Sequence, residues 1–587
     1  MSSANEIASI ADERLREDES TLHDSGKEEQ DESRDPGSLQ ESNTTHASQE
    51  EPIEPAVPFK EKEADFERGD IPNEAIRKKT SETQHDGHDL ARTVSTVSVA
   101  ETLSLPHEIA FVFVICLAQF MTQAGFGQAL SILHQIGAAF GLNSPSDLPW
   151  LIAAYSLTVG TFILLSGRLG DLFGYKPMLL AGFSWFALWS LVAGLATYSN
   201  HVLFTFARAL QGIGPAIVLP NALAILGATY AAGPRKDMVF AIFGATAPGG
   251  SICGGAMAGV LALAWWPWAF FALAIALAAT VVLGWWVIPD PPAKKTQLKR
   301  VSWREKVREM DLAGATMGIV GLVLFNFAWN QAPAVGWQKA YVYVTLILGV
   351  LALAVFFYIE FRVARTPLIP FHAFSPDVAF VLGCVAAGWS CFGIWVYYIF
   401  QYLQVLRGLS PLLSIAWLSP IPVAGAVAAI TTGFLLSRIR AAWVMTISMA
   451  CFLIGVILIA TAPVDQIYWG QTFVCTIIIP FGMDMSFPAS TVILSNAVSK
   501  EHQGIAASLV ATIVNYSISL GLGFAGTVEV QVNNGGTNNA DILKGYRGAF
   551  YMGIGCAGLG LGISIIFLLK GYLHDRQNGR KRDQEAS

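Results

Sequence analysis

The sequence predicts an all-α membrane protein. Fourteen transmembrane helices are expected to form two pseudo-symmetric six-helix bundles, with two further helices inserted centrally between them. Three observations predict this: fourteen apolar windows of bilayer length, a one-sided distribution of Lys and Arg between those windows, and a short internal repeat.

A bilayer core takes about 20 apolar residues to cross as a helix. Windows of that kind fall near 109–130, 149–167, 177–197, 201–228, 237–262, 267–288, 312–331, 339–361, 378–402, 410–436, 441–462, 467–495, 504–528 and 547–570. The chain is 53% hydrophobic and 14% charged, the balance of a protein solvated mostly by lipid.

The net charge of -7 averages two unlike parts. Residues 1–107 hold 26 of the 44 acids and 11 of the 37 bases, so the remainder carries a net +8. The first part, with stretches such as "ADERLREDESTLHDSGKEEQDESRDPGS", has too little apolar surface to offset its chain entropy and is expected to be disordered. It lacks the basic-then-apolar start of a cleaved signal, so the first membrane helix is expected to direct insertion. The run "TVSTVSVAETLS" reads as a solvated tether or a phosphorylation site.

Orientation follows from the basic residues. Loops after even-numbered windows hold 16 Lys and Arg, and the opposite set holds four: Lys339, Arg407, Lys544 and Arg547. Both termini are therefore expected in the cytoplasm. The sequon at Asn43 then stays unglycosylated, and that at Asn515 is buried. The expected divisions are a disordered acidic cytoplasmic tail (1–107), an N-terminal six-helix bundle (108–288), a basic cytoplasmic loop with two linker helices (289–376), a C-terminal six-helix bundle (377–570) and a cytoplasmic C-terminal tail (571–587). All seven cysteines lie in apolar stretches without metal-ligand spacing and read as small core residues.

A shift of 268 positions lays "GIGPAIVLPNALAIL" (212–226) over "PFGMDMSFPASTVIL" (480–494). Gly214 then meets Gly482, and Pro220 meets Pro488. A shift of 266 lays "GRLGDLFG" over "GFLLSRIR". Two related six-helix halves around a central pathway suit alternating access.

"GRLGDLFGYKPMLL" (167–180) resembles the signature loop between helices two and three of the major facilitator superfamily, and "RALQGIGPA" (208–216) resembles its fourth-helix motif. "QFMTQAGFGQAL", "FGATAPGGSICGG" and "EHQGIAASLVATIVNYSISLGLGFAGTVE" are similar to the fungal fourteen-helix drug:proton antiporter branch, in its aminotriazole- and boron-resistance-like subgroup. The resemblance covers about residues 108–570 and implies a major facilitator fold. That subgroup also includes low-affinity ammonium carriers, so it leaves direction and substrate open.

Gly167, Asp171, Gly174 and Lys176 stand in the signature loop. The glycines permit a tight turn, and Asp171 can interact with a facing helix N-terminus. The resemblance implies a latch that shuts the cytoplasmic side, although Leu172 and Tyr175 replace usual basic residues. An ordinary tight turn is the alternative. In the fourth span Arg208 is costly unless it faces a cavity or a partner. Gln211, one turn on, can hydrogen-bond with it. The motif implies a part in proton relay; the alternative is a structural pairing to carbonyls and amides.

In the fifth span Gly250 and Gly254 allow close helix approach, and Pro248 interrupts the hydrogen-bond ladder. This stretch resembles the antiporter motif, with Ala247-Pro248 in place of the usual Gly-Pro. Asp484 is the one acid in the middle third of any window. A carboxyl whose access to water changes between two states also changes its proton affinity, so Asp484 can load a proton on one side and release it on the other. In the repeat it matches Ala216, eight residues or about 12 Å of helix rise from Arg208, so the two can share a cavity without touching. The alternative is an Asp that hydrogen-bonds across a helix interface. Gln123, Gln211, Asn221, Gln401 and Asn515 are candidates for lining a polar pathway, with Asn326 and Asn330 among further buried amides.

No nucleotide-binding P-loop is present, and candidate general bases and metal ligands are too few for an enzyme. The expectation is proton-coupled efflux of a drug, toxic compound or secondary metabolite by a monomer, without cofactor, metal or nucleic acid. The expected place is the plasma membrane, with the vacuolar membrane as alternative. Uptake of a small cation or nutrient such as ammonium, or a transporter-like sensor, are the competing functions.

Overall fold

Apolar windows become helices here because lipid offers a backbone no hydrogen-bond partners. The computed structural model describes residues 101, 103–142, 148–231, 233–289, 311–364, 367–369, 376–497 and 503–586. The acidic tail up to residue 100, the sequon at Asn43 and nearly all of the basic loop lie outside the described residues.

Among the described residues, fourteen helical segments are long and apolar enough to cross a membrane. In chain order the α-helices are α1 (Leu105–Ser131), the short α2 (Leu133–Ala139), α3 (Trp150–Phe173), α4 (Tyr175–Leu195), α5 (His201–Thr229), α6 (Pro234–Leu261) and α7 (Trp268–Val287). They continue with α8 (Leu312–Val335), α9 (Ala340–Tyr358), α10 (Pro376–Gln401), α11 (Pro411–Leu418) and α12 (Pro420–Leu436). The last four are α13 (Ala441–Thr461), α14 (Gln471–Ala497), α15 (Gln503–Val532) and α16 (Asn539–Ala586). One span divides into α11 and α12 at Ser419, and α9 and α10 each finish in a π-helical turn. Local chemistry sets several starts: Asn200 caps α5 through Leu203 N–H at 2.9 Å, and Pro106, Pro234 and Pro411 occupy first turns.

Packing repeats between the halves. In the first, α1 packs on α6 and α7, α4 on α5 and α7, and α3 on α5. The second has α10 on α15 and α16, α13 on α14 and α16, and α12 on α14. Two seams join the halves, α3 against α15 and α6 against α12, and the repeat exchanges one for the other. The inserted helix α8 packs on α9, α15 and α3, so it flanks the first seam.

The repeat is visible in side chains. A Cβ at Gly214 would fall 2.8 Å from Phe186 Cα, and one at Gly482 would fall 2.7 Å from Phe452 Cδ1. Each glycine lets the fourth helix of its half close onto a phenylalanine of the third.

The structure moves several sequence boundaries. Gly167 and Asp171 are helical residues of α3, and Lys176 belongs to α4; Gly174 alone separates the two helices, with φ of 99°. That left-handed φ suits a residue without Cβ. The stretch 529–546 between the last two apolar windows is helical except for 533–538, and the expected C-terminal tail continues α16 to Ala586. The apolar windows stop where the lipid core stops, whereas the hydrogen-bond ladder continues into the polar interface. All seven cysteines are free; Cys116, Cys384, Cys391 and Cys475 are buried, but Cys253 is exposed rather than in the core.

Candidate functional site

Proline makes the setting of Asp484 on α14. Pro480 and Pro488 lie inside this helix, one four residues before Asp484 and one four residues after. Pro488 has no N–H, so the carbonyl of Asp484 loses its helical partner. Thr432 of α12 lies beside it, its Oγ1 bonded to Ala428 O at 2.7 Å and 3.3 Å from Asp484 O. The carboxylate also faces α12. Its Oδ2 is buried and makes no hydrogen bond. A Cβ at Gly425 would fall 2.7 Å from that oxygen and 2.8 Å from Pro248 Cγ of α6. Asp484 therefore sits where α6 of one half meets α12 and α14 of the other, at a bare patch of α12.

The faces of α6 divide the labour. Gly250 approaches the backbone of Phe120, and Gly254 that of Ala124, so both hold α6 against α1. Gly255 and Gly259 turn to Ile415 and Leu412 of α11, on the side where Pro248 meets Gly425. One helix thus meets the backbone of its own half on one face and side chains of the other half on the opposite face.

Arg208 of α5 has no exposed surface. Its Nε donates to Leu151 O at 3.2 Å, and its Nη1 donates to Gly125 O at 3.0 Å and Gln211 Oε1 at 2.5 Å. The guanidinium lies 4.5 Å from the centroid of the Tyr155 ring. Gln211 continues the network through Nε2 to Ser190 Oγ at 2.7 Å. Carbonyl dipoles, an amide and an aromatic face stabilise this charge in place of a carboxylate. Nη2 is buried without a partner. Arg208 and Asp484 share none of these contacts.

The remaining pathway candidates do not converge. Asn221 donates to Ile217 O at 2.7 Å and presses on Gly170, near the end of α5. Gln401 is buried at the last residue of α10, on the opposite side of the membrane, beside His134 and Tyr397. Asn515 donates to Ala511 O at 2.9 Å, and its backbone lies against Gly160 in the α3–α15 seam. Gln123 stands half-buried on α1. Asn326 and Asn330 of α8 are bonded across to Ser519 of α15. Asn330 Nδ2 donates to Ser519 O at 3.1 Å, and Ser519 Oγ donates to Asn326 Oδ1 at 2.9 Å, tying α8 to α15.

In the signature stretch Tyr175 OH donates to Asp171 Oδ1 at 2.5 Å, and Lys176 Nζ donates to Ile288 O at 2.7 Å. A Cβ at Gly167 would reach Ser508 Oγ of α15 at 3.4 Å, so this end of α3 lies on the seam. Arg168 Nη2 donates to Pro367 O at 2.5 Å, which ties the same end to the segment after α9.

Sequence reasoning passed over three acids at helix ends. Glu108 is ion-paired with Arg235 and accepts from Tyr230 OH at 2.9 Å. Glu360 accepts from the backbone N–H of Leu368 and of Ile369, each at 3.2 Å. Glu529 accepts from Tyr398 OH at 2.7 Å. Their end positions gave no sign of burial, and the tyrosines that bond Glu108 and Glu529 lie 122 and 131 residues away in the sequence.

Comparison with known proteins agrees with this geometry. The family model described as Major Facilitator Superfamily matches residues 115–522. The chain is 54% identical to a Saccharomyces cerevisiae protein named "Low affinity ammonium transporter", over 81% of this chain and 91% of that one. It is 48% identical to "Efflux pump terJ" of Aspergillus terreus, over 83% and 93%. In fold it is similar to a solved peptide transporter POT in complex with sulfate, with a TM-score of 0.53 at 14% identity, covering 78% of this chain and 94% of that one. Fourteen membrane-crossing helices, two halves with matching packing and the family match lead to one conclusion: the chain belongs to the Major Facilitator Superfamily, in its fungal drug-efflux-like branch.

Proposed function

We propose that this protein is a proton-coupled secondary transporter that exports a small molecule by alternating access, with Asp484 as the group that takes up and releases the proton. One observation carries the reading: a mid-membrane carboxylate with a buried, unpartnered oxygen at the α6–α12 seam. A rocking motion of the halves changes what faces Oδ2, and with it the proton affinity of the group. Arg208, locked into carbonyls of its own half, is the fixed pole of the N-terminal bundle. Asp171 and Gly167 contribute to closure at one end of the other seam. The surplus of basic residues in even-numbered loops supports placing both termini in the cytoplasm, and a monomer in the plasma membrane is the simplest assembly.

The test is transport in proteoliposomes with and without a pH gradient, comparing the wild type with Asp484→Asn. The variant should fold and exchange substrate but no longer concentrate it. Concentration against a gradient by the variant would remove Asp484 from the mechanism.

A second reading, uptake of a small cation, is favoured by the ammonium-transporter name of the 54% identical relative. Everted vesicles separate the two, because an exporter accumulates its substrate there under an inward-acid gradient.

A further inference from the structure

The inserted helices α8 and α9 lie outside the two-fold repeat, and nothing so far gives them a task. Along much of its length α8 is fastened to α15 of the C-terminal half. A Cβ at Gly523 of α15 would fall 2.8 Å from the backbone of Trp329, and one at Gly526 would fall 3.1 Å from Pro333 Cγ. Tyr516 OH donates to Leu322 O at 2.9 Å, beside the bond from Asn330 to Ser519 O. A rigid movement of α15 therefore carries α8 with it.

The same pair reaches α3 of the other half, and does so at both ends of that helix. At one end Trp150 Nε1 donates to Gln331 Oε1 of α8 at 2.8 Å, and the Trp150 ring packs on Phe327 with centroids 5.3 Å apart. Gln331 Nε2 donates in turn to Tyr341 OH of α9 at 3.2 Å. At the other end Arg168 Nη2 donates to Pro367 O, in the segment after α9. Buried Glu360 grips the next two residues, Leu368 and Ile369, by their N–H groups. Their side chains form a small core with Ala315 of α8, Phe356 of α9 and Leu509 of α15, against which Leu164 of α3 packs. This core holds residues of both halves and of the inserted pair.

Between the two ties α3 meets α15 directly. A Cβ at Gly160 would fall 2.6 Å from Tyr516 N, so the backbones touch near the middle of α3. Trp150 lies about 15 Å of helix rise to one side of this point, and Arg168 about 12 Å to the other. Rocking about Gly160 opens one end of the seam, stretches the tie at that end and spares the other.

We propose that α8 and α9 form a two-ended brace across the α3–α15 seam. Fastened to α15 and tied to α3 at Trp150 and at Arg168, the pair resists opening at either end. The balance between the two ties sets which end opens more often. The brace rests on the alternating-access part of the reading above and not on Asp484. Ser519 Oγ also lies 3.1 Å from Ala153 O, so the Trp150 end has a second contact and should respond less.

The experiment is hydrogen–deuterium exchange of the purified full-length protein in lipid nanodiscs, without substrate or pH gradient. Backbone exchange reports local opening. It is compared between peptides of the Arg168 end (162–173 and 505–513) and of the Trp150 end (150–158 and 518–530). Arg168→Leu should raise exchange at its own end at least threefold and lower it at the Trp150 end. Trp150→Phe, which keeps a ring but loses the donor, should do the reverse by about twofold. Should either variant not be monodisperse, Glu360→Gln replaces the first and Gln331→Leu the second, with the same signs expected. Faster exchange confined to the altered end is local fraying and overturns the proposal, as does exchange unchanged at both ends. No flux is measured, so coupling through Asp484 can fail while the reciprocal shift persists, and the reverse.

Discussion

The fourth helices of the two halves, α5 and α14, occupy equivalent places and treat charge in opposite ways. Both carry internal prolines in register, Pro220 and Pro488, and both close on a phenylalanine through a glycine. On α5 the charge of Arg208 is enclosed by Leu151, Gly125, Gln211 and Tyr155, all from its own half. On α14 the charge of Asp484 faces the other half across Gly425 and has an oxygen with no partner. Symmetry supplies the frame. The proposed mechanism uses the difference: one pole stays fixed and the other changes its surroundings.

The largest effect expected from this contrast is at Asp484. Asp484→Asn should lower the accumulation ratio under a pH gradient at least tenfold and flatten the pH profile, while exchange persists; uptake in proteoliposomes measures both. Arg208→Gln should fail differently. Each buried carbonyl or amide deprived of its donor costs about 1–3 kcal/mol, so the unfolding temperature and the yield should fall together. A stable Arg208→Gln protein that has lost only coupling would move Arg208 into the proton relay and erase the contrast.

Smaller effects compare the seams. Gly425→Ala sets a methyl group against Asp484 Oδ2 and the Pro248 ring, and should slow transport several-fold with little change in unfolding temperature. Gly160→Ala, in the other seam, meets the backbone of Tyr516 at 2.6 Å and should cost stability first. Equal behaviour of the two variants would show that the seams do not differ. The smallest effect is expected at Asp171, where Asp171→Asn would remove the charge–dipole contact of the proposed latch, worth ~0.3–1 kcal/mol. Transport should change less than about fivefold by that energy, with cysteines on the cytoplasmic side labelling somewhat faster.

The helices and their pairing were legible because lipid turns hydropathy into topology, and because Gly214/Gly482 and Pro220/Pro488 repeat in register. Helix ends were not: Gly167 and Asp171 read as loop because windows of apolar residues end before the backbone ladder does. Asp484 could be singled out by depth alone. That its Oδ2 faces Gly425 depends on which helix packs there, and composition does not encode that. Asn326 and Asn330 illustrate the same limit. A buried amide announces that it has a partner without saying whether the partner is a substrate or, as with Ser519, another helix.

The 48-residue helix α16 has a mechanical consequence. At 1.5 Å per residue it is about 72 Å long, against a hydrocarbon core of about 30 Å. The part beyond the lipid is a rigid arm rooted in the C-terminal half through α10 and α13. The 16 residues after the apolar window make an arm of about 24 Å, and a tilt of that half by roughly 10° would sweep its tip through about 4 Å. The molecule thus carries its own lever, and a fluorophore at its tip would convert a small angular step inside the membrane into a displacement readable outside it.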